Sequence, residues 1–238
     1  MNDTVASGNW AERVAASFRA SLGTIVFGMA DGAVSIFGLV AGVSAAGLDS
    51  HAVLIAGAAG AAASAASMAA GAWLDATASR DVAEADIERD REAMVRDPRD
   101  AIATLRERLA SQGAEPVSVE AIVALAKRDA EAWASLRRAV GPASQNAPAN
   151  PLAQAAWMFV ADLFAATLPV LPFAFLDVEP ARIASLAVTV AMMTVLGWAR
   201  SAITGSPRGR TIAQTLGVAM AAAFAGLAIG SLFHPSGG

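Results

Sequence analysis

The stretch Gly28-Met29-Ala30-Asp31-Gly32-Ala33-Val34-Ser35-Ile36-Phe37-Gly38-Leu39-Val40-Ala41-Gly42 decides how the chain is read. It lies within a run from Leu22 to Gly47 whose single ionisable side chain is Asp31. An apolar run of that length reads as a membrane-spanning helix, since about 20 residues at 1.5 Å rise cross the hydrocarbon core. A carboxylate there costs several kcal/mol unless it faces a partner or a polar cavity, which makes Asp31 a functional-site candidate. The competing reading puts Asp31 near a helix end, reaching water or capping a neighbour. Its place well inside the run weighs against that.

Working outward, the whole composition has a membrane-protein balance. Of 238 residues 55% are hydrophobic and 16% charged, and the mean hydropathy is +0.49; soluble domains carry about 25% charged residues. The absence of cysteine excludes disulfides and thiolate metal sites. With only His51 and His234, histidine-rich metal sites are excluded too. Any metal must be held by carboxylates, Met thioethers or backbone. A net charge of -4 argues for no particular partner, and no basic cluster with aromatics suggests nucleic acid.

Five spans are predicted, at 22–46, 52–78, 152–176, 181–203 and 211–233. The second is almost all Ala, Gly and Ser, with Met68 and Trp73, which suits a helix packed inside a bundle. Gly28/Gly32 and Gly38/Gly42 give the first span the small-xxx-small spacing that lets backbones approach. The third span carries Asp162 and the Pro169/Pro172 pair, predicted to kink it. Between the second and third spans the chain turns charged and is broken at Pro98, Gly113–Pro116 and Gly141-Pro142. That pattern predicts three helices, at 75–96, 99–112 and 117–139, the last amphipathic through Val119, Ile122, Val123, Trp133 and Leu136.

The expected fold class is therefore an all-α membrane protein: five transmembrane helices with a cytoplasmic three-helix domain inserted between the second and third. Its divisions are an arm at 1–21, transmembrane helices at 22–78, the helical domain at 79–150, transmembrane helices at 151–233 and a tail at 234–238. No signal peptide is read in the arm. The Lys/Arg tally is two in the arm, eleven in 75–151 and three in 200–210, against Arg182 alone in the opposite loops. The positive-inside rule then puts the N-terminus and the helical domain in the cytoplasm and the C-terminus outside. Trp73, Trp157 and Trp198 fall near the predicted cytoplasmic ends, as an interfacial belt requires.

In the charged segment Asp81, Glu84 and Glu88 share a helix face, Asp86 and Asp90 another, and Glu92 continues the Glu84/Glu88 row. Carboxylates so spaced can converge on a divalent cation. Arg80, Arg89, Arg91 and Arg96 interleave with them, and such a run is more often a solvated face with local ion pairs. No phosphate loop, nucleophile elbow or paired-carboxylate active site occurs, so an enzyme is not expected and no catalytic residue is assigned. A transporter or channel fits better. Met68 read alone is core packing.

Several motifs, in order, resemble the vacuolar iron transporter family. They are Phe18-Arg19-Ala20 with Val26-Phe27-Gly28-Met29-Ala30-Asp31-Gly32-Ala33-Val34-Ser35 and Gly38-Leu39-Val40-Ala41-Gly42-Val43; Ser67-Met68-Ala69-Ala70-Gly71 leading to Ser79-Arg80-Asp81, Glu84, Asp86 and Glu88-Arg89-Asp90-Arg91; and Leu168-Pro169-Val170-Leu171-Pro172-Phe173. The resemblance implies a five-span homodimer in the lipid bilayer with its ion path at the dimer interface. It implies movement of ferrous iron, often manganese, out of the cytosol in exchange for protons, with no cofactor beyond the transported ion. Asp31 and Met68 match the family's ion-contacting residues, and the charged insertion matches a cytoplasmic metal-binding domain. In a bacterium the location would be the inner membrane.

The departures concern ligands. Aligned through Arg89, Arg91 and Pro98, one metal-gathering position is Asp90, but others fall on Ala93, Ala101 and Thr104, and Arg137-Arg138 replaces an acidic cluster. Within the membrane, acidic positions fall near Gly60 and on Ala72. The expected role is thus a divalent-cation transporter in which Asp31 binds the dehydrated ion or its exchanged proton. Met68 would supply a soft ligand, and Asp90, Glu84, Glu88, Glu92 and Glu107 would collect metal electrostatically. The rival is a membrane protein that keeps the scaffold and serves partner binding or regulation.

Overall fold

A computed structural model describes residues 10–111, 113, 115–126 and 150–233, and every regular element among them is a helix. In chain order these are α1 (Trp10–Ala20), α2 (Leu22–Ala45), α3 (Ser50–Arg96), α4 (Pro98–Ser111), α5 (Pro116–Ala126), α6 (Pro151–Val170) with a 3₁₀ turn at Leu171–Ala174, α7 (Val178–Thr204) and α8 (Arg208–Leu232). Five of them, α2, α3, α6 with its 3₁₀ turn, α7 and α8, are long and apolar enough to cross a membrane. The chain forms two compact units, Met1–Trp73 with Leu152–Gly238, and Leu74–Pro151.

In the first unit α2 packs with two pairs of glycine, one against α6 and one against α8. A Cβ built on Gly28 would lie 2.6 Å from Met158 Sδ, and one on Gly32 would lie 2.5 Å from the Asp162 carbonyl oxygen of α6. Further along, Gly38 and Gly42 meet α8 at Ala222 and Gly226, where a Cβ would come within 3.0 and 2.8 Å of carbonyl oxygens. The small-residue spacing thus serves two neighbours at once. Ile36, Val40, Val53, Ala166, Val170 and Phe173 fill one core; Ala33, Ala165, Met193, Leu196 and Ala219 fill another. Outward, Phe27, Phe164, Ile183 and Phe224 stay between 58 and 76% exposed. A soluble domain does not leave such a surface uncovered, whereas lipid accepts it.

Element ends follow local chemistry. Gly47 at φ 83° turns the chain after α2, and the Arg182 guanidinium donates to the Ser44 carbonyl near that end, a cation at the negative pole of a helix. Asp49 Oδ1 accepts from the Ala52 amide at 2.8 Å and caps α3, so α3 starts two residues before the predicted Ala52. Helix α7 starts at Val178 rather than 181 because Pro180 sits in the first turn, where no amide donor is required. The expected kink at Pro169/Pro172 is instead a termination: α6 ends at Val170 and tightens into the 3₁₀ turn. The described part of the arm is helical and contacts α6. Within α1, Ser17 Oγ accepts from Trp157 Nε1 at 3.1 Å, and Phe18 meets the Trp157 ring edge-on at 5.2 Å.

The second unit has its own core of Met94, Ala101, Leu105, Leu109, Val119 and Val123, drawn from α3, α4 and α5. Asp97 caps α4 by accepting from the amides of Arg99 and Asp100 at 3.0 and 3.2 Å, with Pro98 at the first helical position. Arg106 donates to both carboxylate oxygens of Glu120 at 2.7 and 3.1 Å, joining α4 to α5. That pair holds the guanidinium above its ordinary pKa. The predicted 75–96 helix is the continuation of α3, and 99–112 is α4. Of 117–139 only the part within α5 is described; Trp133, Leu136, Arg137-Arg138, the rest of 127–149 and the tail from His234 lie outside the described residues.

Candidate functional site

Asp31 sits half-buried on α2, in the wall of a half-open cavity of about 700 Å³ lined by α2, α7 and α8. Phe27, Val34, Met193 and Leu196 make most of that wall apolar, while Gln214 and Thr215 add neutral polar groups. Two charges line it, the Asp31 carboxylate and the Arg200 guanidinium. A carboxylate facing a cavity among apolar helices is an electrostatic sink for a cation. Arg200 opposes it, since a guanidinium and a dication repel.

On the other side of α2 lies a second carboxylate. Asp162 of α6 is fully buried and packs against Gly32, whose Cβ, if present, would lie 2.9 Å from its Oδ1. Ser64 Oγ of α3 donates to that Oδ1 at 3.4 Å. The other oxygen, Oδ2, is buried with no hydrogen-bond partner among the described residues. Met68 is half-buried on α3 and is not among the residues lining the Asp31 cavity. It stands one helical turn beyond Ser64, on the same face.

The acidic residues of the charged segment are placed differently. Glu84, Glu88, Glu92 and Glu107 are exposed and Asp90 is partly so. Asp86 pairs with Arg89 at 2.8 Å and Glu88 with Arg91 at 3.5 Å, the local ion pairs that interleaved charge produces. Glu88 and Glu92 share a shallow depression with Arg91 and Arg96. Among the described residues no three acidic or histidine side chains gather as metal ligands.

Two of the departing positions, Ala101 and Gly60, are filled by packing, while Ala93 and Thr104 are exposed. Ala101 is buried in the core of the second unit, so a longer acidic side chain there would displace Leu105 or Met94. A Cβ at Gly60 would already stand 3.2 and 3.3 Å from Ile36 and Leu39. Two residues beside the candidate site were not singled out from sequence as site residues. Asp162 was visible as the lone ionisable group of its span, which was the available signal. Arg200 was counted only as a topological charge.

Comparison with known proteins accords with these features. The sequence profile of the VIT family matches residues 22–231. The chain is 31% identical over 206 residues to vacuolar iron transporter 1 of Arabidopsis thaliana, covering 84% of this chain and 82% of that protein. It is 30% identical to vacuolar iron transporter 1 of Eucalyptus grandis and 29% to the vacuolar iron transporter of Centaurea cyanus, each across 84% of this chain and 82 and 84% of those proteins respectively. The chain therefore belongs to the VIT family, integral membrane transporters rather than enzymes.

Proposed function

We propose that this protein transports divalent iron or manganese out of the cytosol in exchange for protons, as a homodimer. The observation that carries the reading is Asp31: a half-buried carboxylate in a cavity of about 700 Å³ among membrane-spanning helices. Such a group binds a dehydrated cation or a proton, and one site that accepts either is the minimum an exchanger needs. The names of the relatives as vacuolar iron transporters support iron as cargo. Met68 would add a soft ligand favouring a borderline metal over Mg²⁺. Asp90, Glu84, Glu88, Glu92 and Glu107 would raise the local cation concentration without forming a coordination shell. The Lys/Arg distribution supports a cytoplasmic N-terminus and helical segment and an external C-terminus.

The test is flux through the purified full-length protein in liposomes. Transport predicts uptake of Fe²⁺ or Mn²⁺ into the lumen, accompanied by a luminal pH rise that requires the metal. Metal uptake without a pH response would remove the exchange step. No uptake of either metal would favour the second reading, a scaffold retained for partner binding or regulation. What favours that reading is the ion-paired acidic face of α3 and the buried Ala101.

A further inference from the structure

The geometry points to Asp162 as a second, interior cation-binding group of the membrane helices, with the Ser64 hydroxyl as its neutral oxygen partner. The ligand class is a divalent cation passed on from Asp31, so the inference rests on reading these helices as a cation path.

Three observations carry it. Asp162 is fully buried in a span where it is the only ionisable side chain, and charged groups within hydrocarbon are kept where they pair or bind. One of its oxygens is engaged by Ser64 at 3.4 Å, while Oδ2 has no donor among the described residues; a buried carboxylate oxygen without a donor calls for a proton or a cation. Third, Gly32 lets α2 and α6 approach closely at the turn that carries Asp31. Its position is directly against Asp162, and Asp31 is its chain neighbour. A structural aspartate that only tethers α6 to α3 would use both oxygens, or would be an asparagine. Here one oxygen, though buried, has no donor among the described residues.

Mn²⁺ binding to the full-length protein in lipid nanodiscs, followed by the loss of the free-ion EPR signal, tests the assignment. Asp162→Asn keeps the shape and the Ser64 contact, and weakens the tightest Mn²⁺ site about tenfold or more. Ser64→Ala leaves both charges in place and weakens the same site roughly threefold. Melting curves without metal decide whether each variant is folded, and Ser64→Ala alone decides the matter if Asp162→Asn is not. Unchanged Mn²⁺ affinity in the folded variants overturns the inference, even where Asp31→Asn abolishes uptake, and leaves the transport reading standing. Binding that depends on Asp162 without any metal flux in the native protein supports the site and contradicts transport.

Discussion

Asp31 and Asp162 show how far single residues can be read in advance. Each is the only ionisable group of its span, a feature visible in the sequence, and the cost of a charge in hydrocarbon marks both. What the sequence lacks is the contact that sets Asp162 against α2, which depends on Gly32 lying against α6. Nor does it place Arg200 in the cavity that Asp31 lines, because that arrangement belongs to the packing of α7 and α8 on α2. The glycine contact is itself testable. Gly32→Ala drives a methyl into the Asp162 backbone, and overpacking of this kind costs about 1–3 kcal/mol, so the detergent-solubilised protein should melt several degrees lower. Gly217→Ala, where a Cβ meets nothing within 4 Å, should be neutral or stabilising by up to about 1 kcal/mol. Equal melting temperatures for the two variants would contradict the α2–α6 register.

Helix ends were the least legible elements, and the differences have local causes. Hydropathy locates a span but not its caps, so α3 begins at the Asp49 cap and α7 runs ahead of Pro180. By contrast Pro98 announced the start of α4, since proline fits the first helical position and Asp97 supplies the missing acceptor. Asp97→Ala should cost about 1 kcal/mol and speed amide exchange in the first turn of α4, leaving α2 unaffected; unchanged exchange at Arg99 and Asp100 would contradict the cap. Arg182 ties α7 to the C-terminal end of α2 through the Ser44 carbonyl. Replacing it with Ala frees that carbonyl and should lower the melting temperature, whereas Arg182→Lys should recover part of the loss. If Arg182→Ala melts like the native protein, the contact contributes nothing.

For the molecule as a whole, five apolar segments were enough to predict the five spans, and the break at Pro98 the start of α4. The exposed faces of Phe164, Ile183 and Phe224 agree with a lipid environment. Sidedness can be measured cleanly because the chain has no cysteine. In intact cells, Leu48→Cys should react with an impermeant maleimide added outside, and Ser206→Cys should not; the reverse pattern would invert the proposed topology. The acidic ladder on α3 was the least transferable motif, since spacing along one helix says nothing of where arginine partners will lie. The central claim concerns Asp31, and the most direct measurement is metal uptake by the full-length protein in liposomes, native against Asp31→Asn. The account predicts Mn²⁺ or Fe²⁺ uptake by the native protein that falls to the level of empty liposomes in the variant, with both folded to the same melting temperature within a few degrees. Undiminished uptake by Asp31→Asn would contradict it.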